Sequence, residues 1–198
     1  MGFVQRKDDQ HYTYADYCRW DDGQRWELID GVAYLMAPAP SAFHQIMAFQ
    51  IGHQIEGALK DKPCTVMLAP VDVRLPRAGT QDDSSDIVVQ PDLLVVCDPA
   101  KLDAKGVKGV PDWIVEVLSP KTAGYDQIVK REIYERAGVP EYWLVHPVDR
   151  ILTIYRLENG RYGMPDIREL VGQTPVGPLP GAMIDWQSVL DRLPVLAE

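Results

Sequence analysis

VVQPDLLVV (residues 88–96) and DWIVEVLSP (residues 112–120) decide how this chain folds. Both runs are dense in Val, Ile, Leu and Trp, the composition of strands buried on both faces. Each also carries one carboxylate, Asp92 or Glu116, where a buried strand would want none. An ionised acid in low dielectric costs several kcal/mol even after relaxation, so buried acids are paired, protonated or bound to a cation. Alternation places Asp92 on one face with Leu94 and Val96, and Glu116 on one face with Ile114. The connection PAKLDAKGVKGVP (residues 99–111) is short enough for the two strands to be neighbours, so both acids can converge on one ion. Mg²⁺ suits such a pair, because it is commonly held by one or two carboxylates while waters and phosphate oxygens complete its octahedron.

Outward from these runs, the pattern mixes helices and strands. Thr13 to Trp20 reads as a short helix with Thr13 as N-cap and Asp16 completing a capping box. RWELI and VAYLM flank Asp30-Gly31, which supplies the positive φ angles of a tight hairpin turn. Ser41 caps a long helix to about Lys60, with Phe43, Ile46, Met47, Ile51, Ile55 and Leu59 at helical spacing. Residues 64–75 form a strand interrupted near Pro70, followed by the polar loop RAGTQDDSSD (residues 77–86). Asp126 to Ala137 is predicted as a helix closed by Gly138. EYWLV and ILTIYRL make a second hairpin. A Gly- and Pro-rich stretch from Gly172 to Gly181 leads to a capped helix at Asp185 to Leu193. The fold class is therefore α/β or α+β, with a central mixed sheet flanked by helices.

The chain of 198 residues fits a single domain over 1–198, with a core at about 10–165 and the C-terminal segment and helix at 172–198. Its 46% hydrophobic and 25% charged residues suit a water-soluble globular protein. No apolar run approaches a membrane span, the N-terminus lacks an apolar leader, and Arg6 breaks a myristoylation pattern, so the expected location is cytoplasmic. Cys18, Cys64 and Cys97 are widely spaced among apolar residues and read as buried free thiols in a reducing compartment. A net charge of −9 and a pI near 4.9 weigh against strong nonspecific DNA binding. They leave room for a local basic groove.

Lys130 is the next candidate. On its helix it shares a face with Asp126 and Tyr134, and it follows Glu116 closely enough for that helix to pack across the strand end. An ammonium there could orient or help deprotonate an attacking water, or stabilise transition-state charge. The alternative is an ordinary surface ion pair with Asp126, worth about 0.3–0.5 kcal/mol.

Taken in order, WELIDG (26–31), SAFHQ (41–45), QPDLLVV (90–96), WIVEVLSP (113–120) and DQIVKREIYERAGVPEYWLVHP (126–147) resemble the Uma-type restriction endonuclease family of the PD-(D/E)XK nuclease superfamily. The resemblance covers most of residues 10–165. It implies a restriction-endonuclease-like core, an endonuclease that hydrolyses DNA phosphodiester bonds with metal-activated water, and Mg²⁺, or Mn²⁺ as a substitute, held by Asp92 and Glu116. The superfamily places a lysine two residues after the second acid, but here that position is Leu118. The role then falls on Lys130, with Lys121 as a weaker substitute. Glu27 matches the family's acid in the first hairpin and would complete the site, unless it is a solvated or salt-bridged residue of an edge hairpin. His44 matches a family position near the site, with packing or capping as its other reading, and Asp126 is a further site neighbour. A homodimer would be natural for an enzyme that cuts both strands.

The rival function is a noncatalytic interaction module on the nuclease fold, and a third keeps the metal chemistry but acts on RNA or another phosphodiester. Asp72 reads as the polar face of an alternating strand or as a further acid on the sheet. Trp113, Tyr142 and Trp143 read as core aromatics.

Overall fold

The structure, a computed structural model, describes residues 10–36, 41–75, 77 and 82–194. The expectations about the first nine residues, and about the tip of the polar loop at 78–81, lie outside the described residues.

The first half of the chain builds α1 (Tyr14–Tyr17), β1 (Trp26–Ile29), β2 (Val32–Leu35), α2 (Ala42–Leu59), β3 (Thr65–Leu68), β4 (Val73–Arg74), β5 (Val88–Val89) and β6 (Leu93–Val96). The second half adds β7 (Leu102–Asp103), β8 (Gly106–Lys108), β9 (Trp113–Val117), α3 (Arg131–Ala137), β10 (Glu141–His146), β11 (Ile151–Glu158), β12 (Arg161–Tyr162), β13 (Asp166–Glu169), β14 (Gln173–Pro175), β15 (Met183–Asp185) and α4 (Trp186–Leu190). A seven-stranded sheet runs in the order β12-β11-β10-β9-β6-β3, with β13 also on β11. Its β9–β10 pair is parallel and its β6–β9 pair antiparallel, so the sheet is mixed as expected. A six-stranded sheet, β2-β1-β5-β4-β8-β7, packs beside it, and β14-β15 form a separate pair.

Local chemistry explains most of these elements. The Asp16 carboxylate accepts from the Thr13 amide at 2.9 Å, and Ser41 Oγ accepts from the His44 amide at 3.2 Å, as N-caps do. Asp30 and Gly31 turn the first hairpin at φ 50° and 76°. A Cβ at residue 31 would also fall 2.0 Å from the His11 ring, so the position needs glycine on two counts. Gly138 ends α3 in the left-handed conformation at φ 89°.

The apolar face of α2, with Met47, Ile51 and Ile55, packs on Leu93, Val95, Trp113, Val115 and Trp143, and α4 adds Trp186 to the same core. The opposite face of the large sheet, with Leu94, Val96, Ile114, Tyr142 and Leu144, meets Ile133 and Tyr134 of α3 and Ile29, Val73 and Val89 of the smaller sheet. Trp113, Tyr142 and Trp143 are fully buried.

Four sequence expectations change. The apolar run at 87–97 is not one strand: β5 belongs to the smaller sheet and β6 to the larger, and the chain crosses between them at Gln90-Pro91-Asp92. Pro91 has no N–H to continue a ladder, so the break falls there. β1 is an interior strand, with β2 outside it, so Glu27 is not on an edge and is 3% exposed. The helix expected from Asp126 begins as a π-helical segment, Tyr125–Lys130, and becomes regular only in α3. Finally, Cys64 and Cys97 form a disulfide, and Cys18 is exposed. The register Thr65↔Val96 makes Cys64 and Cys97 the next facing pair of β3 and β6, a proximity that sequence spacing alone does not reveal.

Candidate active site

Continuing the register Leu93↔Val115 by one residue sets Asp92 opposite Glu116. The two acids therefore meet where β6 begins and β9 ends. The Asp92 amide donates to Glu116 Oε2 at 3.3 Å, and Asp92 Oδ2 accepts from the Val117 amide at 2.8 Å. His44, on the first turn of α2, places Nε2 at 2.9 Å from the same Oδ2. Its Nδ1 is buried without a partner among the described residues.

Lys130 reaches this point from the π-helical segment. Its Nζ lies 3.0 Å from Glu116 Oε1, 3.1 Å from Glu27 Oε1 and 3.6 Å from Asp126 Oδ1, and all four side chains are almost fully buried. A surface ion pair with Asp126 is thereby excluded. A π-turn widens the helix by one residue and recurs at functional sites; here it carries both Asp126 and Lys130. Tyr134 donates its hydroxyl to Glu116 Oε1 at 3.1 Å, and the Gln90 amide donates to Glu27 Oε1 at 2.8 Å.

Charge in this cluster is unbalanced. Burial pushes Glu116 well above the ordinary carboxylate range; Lys130 opposes that shift, while Asp92, Asp126 and Glu27 add to it. Burial likewise raises Asp126 to about 6, against the pull of Lys130. For Lys130, burial alone would favour the neutral amine, but Glu116, Glu27 and Asp126 outweigh it and hold the ammonium well above its usual range. Burial works against protonated His44 in the same way, and Asp92 reverses the direction, so His44 is raised.

These groups line one cavity of about 310 Å³ with Arg25, Met36, Ser41, Gln45, Pro70, Gln90, Ser119, Thr122 and Tyr125. The Tyr125 hydroxyl is buried beside Glu27, with no hydrogen bond of regular geometry among the described residues. Among the described residues no group of three or more His, Cys, Asp or Glu side chains forms a ready-made metal cage. The donor set still fits Mg²⁺, which takes one or two carboxylates and leaves its other positions to water and substrate. Asp92, with its side chain 21% exposed, lines the cavity with Glu116, and the gathering of Glu27, Asp92, Glu116 and Asp126 there suits a cation.

The structure thus gathers Asp92, Glu116, Lys130, Glu27, His44 and Asp126. Lys121 is exposed and outside the cavity, and Leu118 is buried in the apolar core. Sequence reasoning missed Arg25 and Gln90. The signals were present: Arg25 lies two residues before Glu27, the spacing that puts extended residues on one face, and Gln90 directly precedes Pro91-Asp92.

A mixed sheet with helices on both faces, and two acids and a lysine meeting at one strand end, defines an α/β protein with a buried acid–lysine centre. The chain belongs to the Uma2 family, described as "Putative restriction endonuclease", which it matches over residues 14–186. An uncharacterized protein of Synechocystis sp. (strain ATCC 27184 / PCC 6803 / Kazusa), slr1290, is 27% identical over 143 residues, 71% of each chain. A solved structure described as a "putative nuclease belonging to DUF820", from Anabaena variabilis ATCC 29413, shares the fold with a TM-score of 0.70 at 16% identity, covering 90% of this chain and 97% of that one. No helix among the described residues is long and apolar enough to cross a membrane.

Proposed function

We propose that the protein is a Mg²⁺-dependent endonuclease that hydrolyses DNA phosphodiester bonds, with Asp92 and Glu116 as the metal-binding acids. The observation that carries this reading is the 3.0 Å approach of Lys130 Nζ to Glu116 Oε1. It supplies from the following helix the cation missing at Leu118. A bound divalent ion would contribute Lewis-acid stabilisation of the phosphate and a lowered pKa for its water.

The chain's own residues divide the remaining work. A water oxygen bonds to phosphorus as the opposite P–O bond breaks, and the departing oxygen takes a proton from solvent, giving a phosphomonoester and an alcohol. Lys130 is held protonated, so it acts as a donor that offsets developing charge and orients the water, not as the base. The proton leaving the water needs a carboxylate acceptor. Asp126, raised to about 6 by burial, lies in the range of a general base at neutral pH and lines the same cavity. Glu27, fixed by the Gln90 amide, keeps Lys130 in place.

The test is cleavage of plasmid and oligonucleotide DNA by purified protein with Mg²⁺ or Mn²⁺. Cleavage that Asp92→Ala and Lys130→Ala abolish is expected. Undiminished cleavage by Asp92→Ala would remove the proposal, and cleavage of RNA alone would move the substrate.

A further inference from the structure

The cavity presents a problem for any phosphodiester. Glu27, Asp92, Glu116 and Asp126 line it, Lys130 is committed to three of them, and His44 is committed to Asp92. In a chain of net charge −9, an anionic backbone needs a local cation whose charge is not already spent. Arg25 meets that need. It is exposed on the cavity rim, and its Nε and Nη2 both donate to Gln90 Oε1, at 3.2 and 2.5 Å. That partner is a neutral amide. No carboxylate among the described residues pairs with Arg25, and the rest of its donor fork is left for another acceptor.

Gln90 is itself held in one orientation. Its Nε2 donates to Asp72 Oδ1 at 2.8 Å and to the Tyr17 hydroxyl at 3.2 Å, while that hydroxyl donates to Asp72 Oδ1 at 3.0 Å. Arginine offers only donors and an ionised aspartate only acceptors, so flipping the amide would break both contacts. Asp72 thus anchors a chain of bonds that ends at the cavity rim. The same Gln90 fixes Glu27 through its main-chain amide. Arg25 and Glu27, two residues apart on extended backbone, are thus set on one face by one residue.

We infer that Arg25 is a phosphate-binding residue of this cavity, positioned by Gln90, and that it grips a backbone phosphate of the nucleic-acid substrate. The inference rests on the nuclease reading above. A guanidinium presents paired donors to phosphate oxygens in a way a lysine cannot.

Fluorescence anisotropy tests this, with a labelled DNA duplex and Ca²⁺ in place of Mg²⁺, over a series of salt concentrations. Arg25→Gln is expected to bind roughly tenfold more weakly. The slope of log affinity against log salt should fall by about one. Arg25→Lys keeps the charge and should keep the wild-type slope; Gln90→Leu should lose affinity. Mn²⁺ affinity, read by calorimetry, should not change in Arg25→Gln. Equal affinity and slope in wild type and Arg25→Gln would overturn the assignment and leave the nuclease reading intact. A parallel loss of Mn²⁺ affinity would also overturn it, since Arg25 would then be acting through the acids. Wild-type protein that binds neither DNA nor RNA would remove the nuclease reading, and Arg25 with it.

Discussion

Lys130 Nζ lies 3.0 Å from Glu116 Oε1, with both side chains buried and the two residues 14 positions apart in sequence. The lysine comes from a helix that crosses the end of the strand carrying the acid. Neither charge is stable without the other: the ammonium needs Glu116, Glu27 and Asp126 to offset its desolvation, and the acids need its charge.

Removing the lysine should therefore destabilise the fold as well as end cleavage. Lys130→Met is expected to lose about 3–5 kcal/mol, the usual cost of stranding buried charge. Adding Glu116→Gln should cost less than the sum of the two single changes, because the carboxylate that Lys130→Met strands is then gone. Urea denaturation of the two single variants and the double variant reads both effects. Simple additivity would show that the pair does not interact.

Asp126 gives a pH dependence of defined sign. Its carboxyl titrates at about 6 in the folded protein against an ordinary 3.8, so over that window the folded state holds a proton that the unfolded chain has released. The stabilisation is complete below about pH 4 and is lost as pH rises through about 6, a contribution of about 3 kcal/mol at most. Asp126→Asn should remove this part of the profile. Denaturant midpoints between about pH 4 and 7 check it; an unchanged slope in the variant would place the titration elsewhere.

His44 holds Asp92 Oδ2 at 2.9 Å and so fixes the orientation of a proposed metal ligand. Partners of this kind typically matter 10–100-fold in metal affinity, and His44→Ala should weaken Mn²⁺ binding by roughly that factor. Calorimetric titration measures it. Equal affinity in variant and wild type would reduce His44 to a packing residue.

The Cys64–Cys97 bond makes a direct chemical prediction. Thiol titration of folded, unreduced protein should find Cys18 alone, and denatured, reduced protein should release all three thiols. Three reactive groups without reductant would contradict the bond.

Much of this arrangement was legible in the sequence because burial is encoded in composition. Asp92 and Glu116 stand out against Val, Leu and Ile, the Asp30-Gly31 turn declares its hairpin, and Ser41 declares its helix. What was not legible depends on which segments meet in space. The crossing of one apolar run between two sheets, and the facing of Cys64 and Cys97, are register effects, and register has no local signal when both faces are buried. The π-helical turn at Tyr125–Lys130 escaped because the spacing of Asp126, Lys130 and Tyr134 already suits a regular helix. Arg25 and Gln90 escaped because neither is an acid, a lysine or a histidine, although both lie beside residues that were singled out.

The most direct measurement is the anomalous scattering of a crystal soaked in Mn²⁺. A peak about 2.0–2.2 Å from carboxylate oxygens of both Asp92 and Glu116, with Lys130 Nζ still bonded to Glu116 Oε1, is the expected result. A crystal in which Mn²⁺ binds only at the surface, leaving the cavity between Asp92 and Glu116 without a peak, would contradict metal binding by this pair.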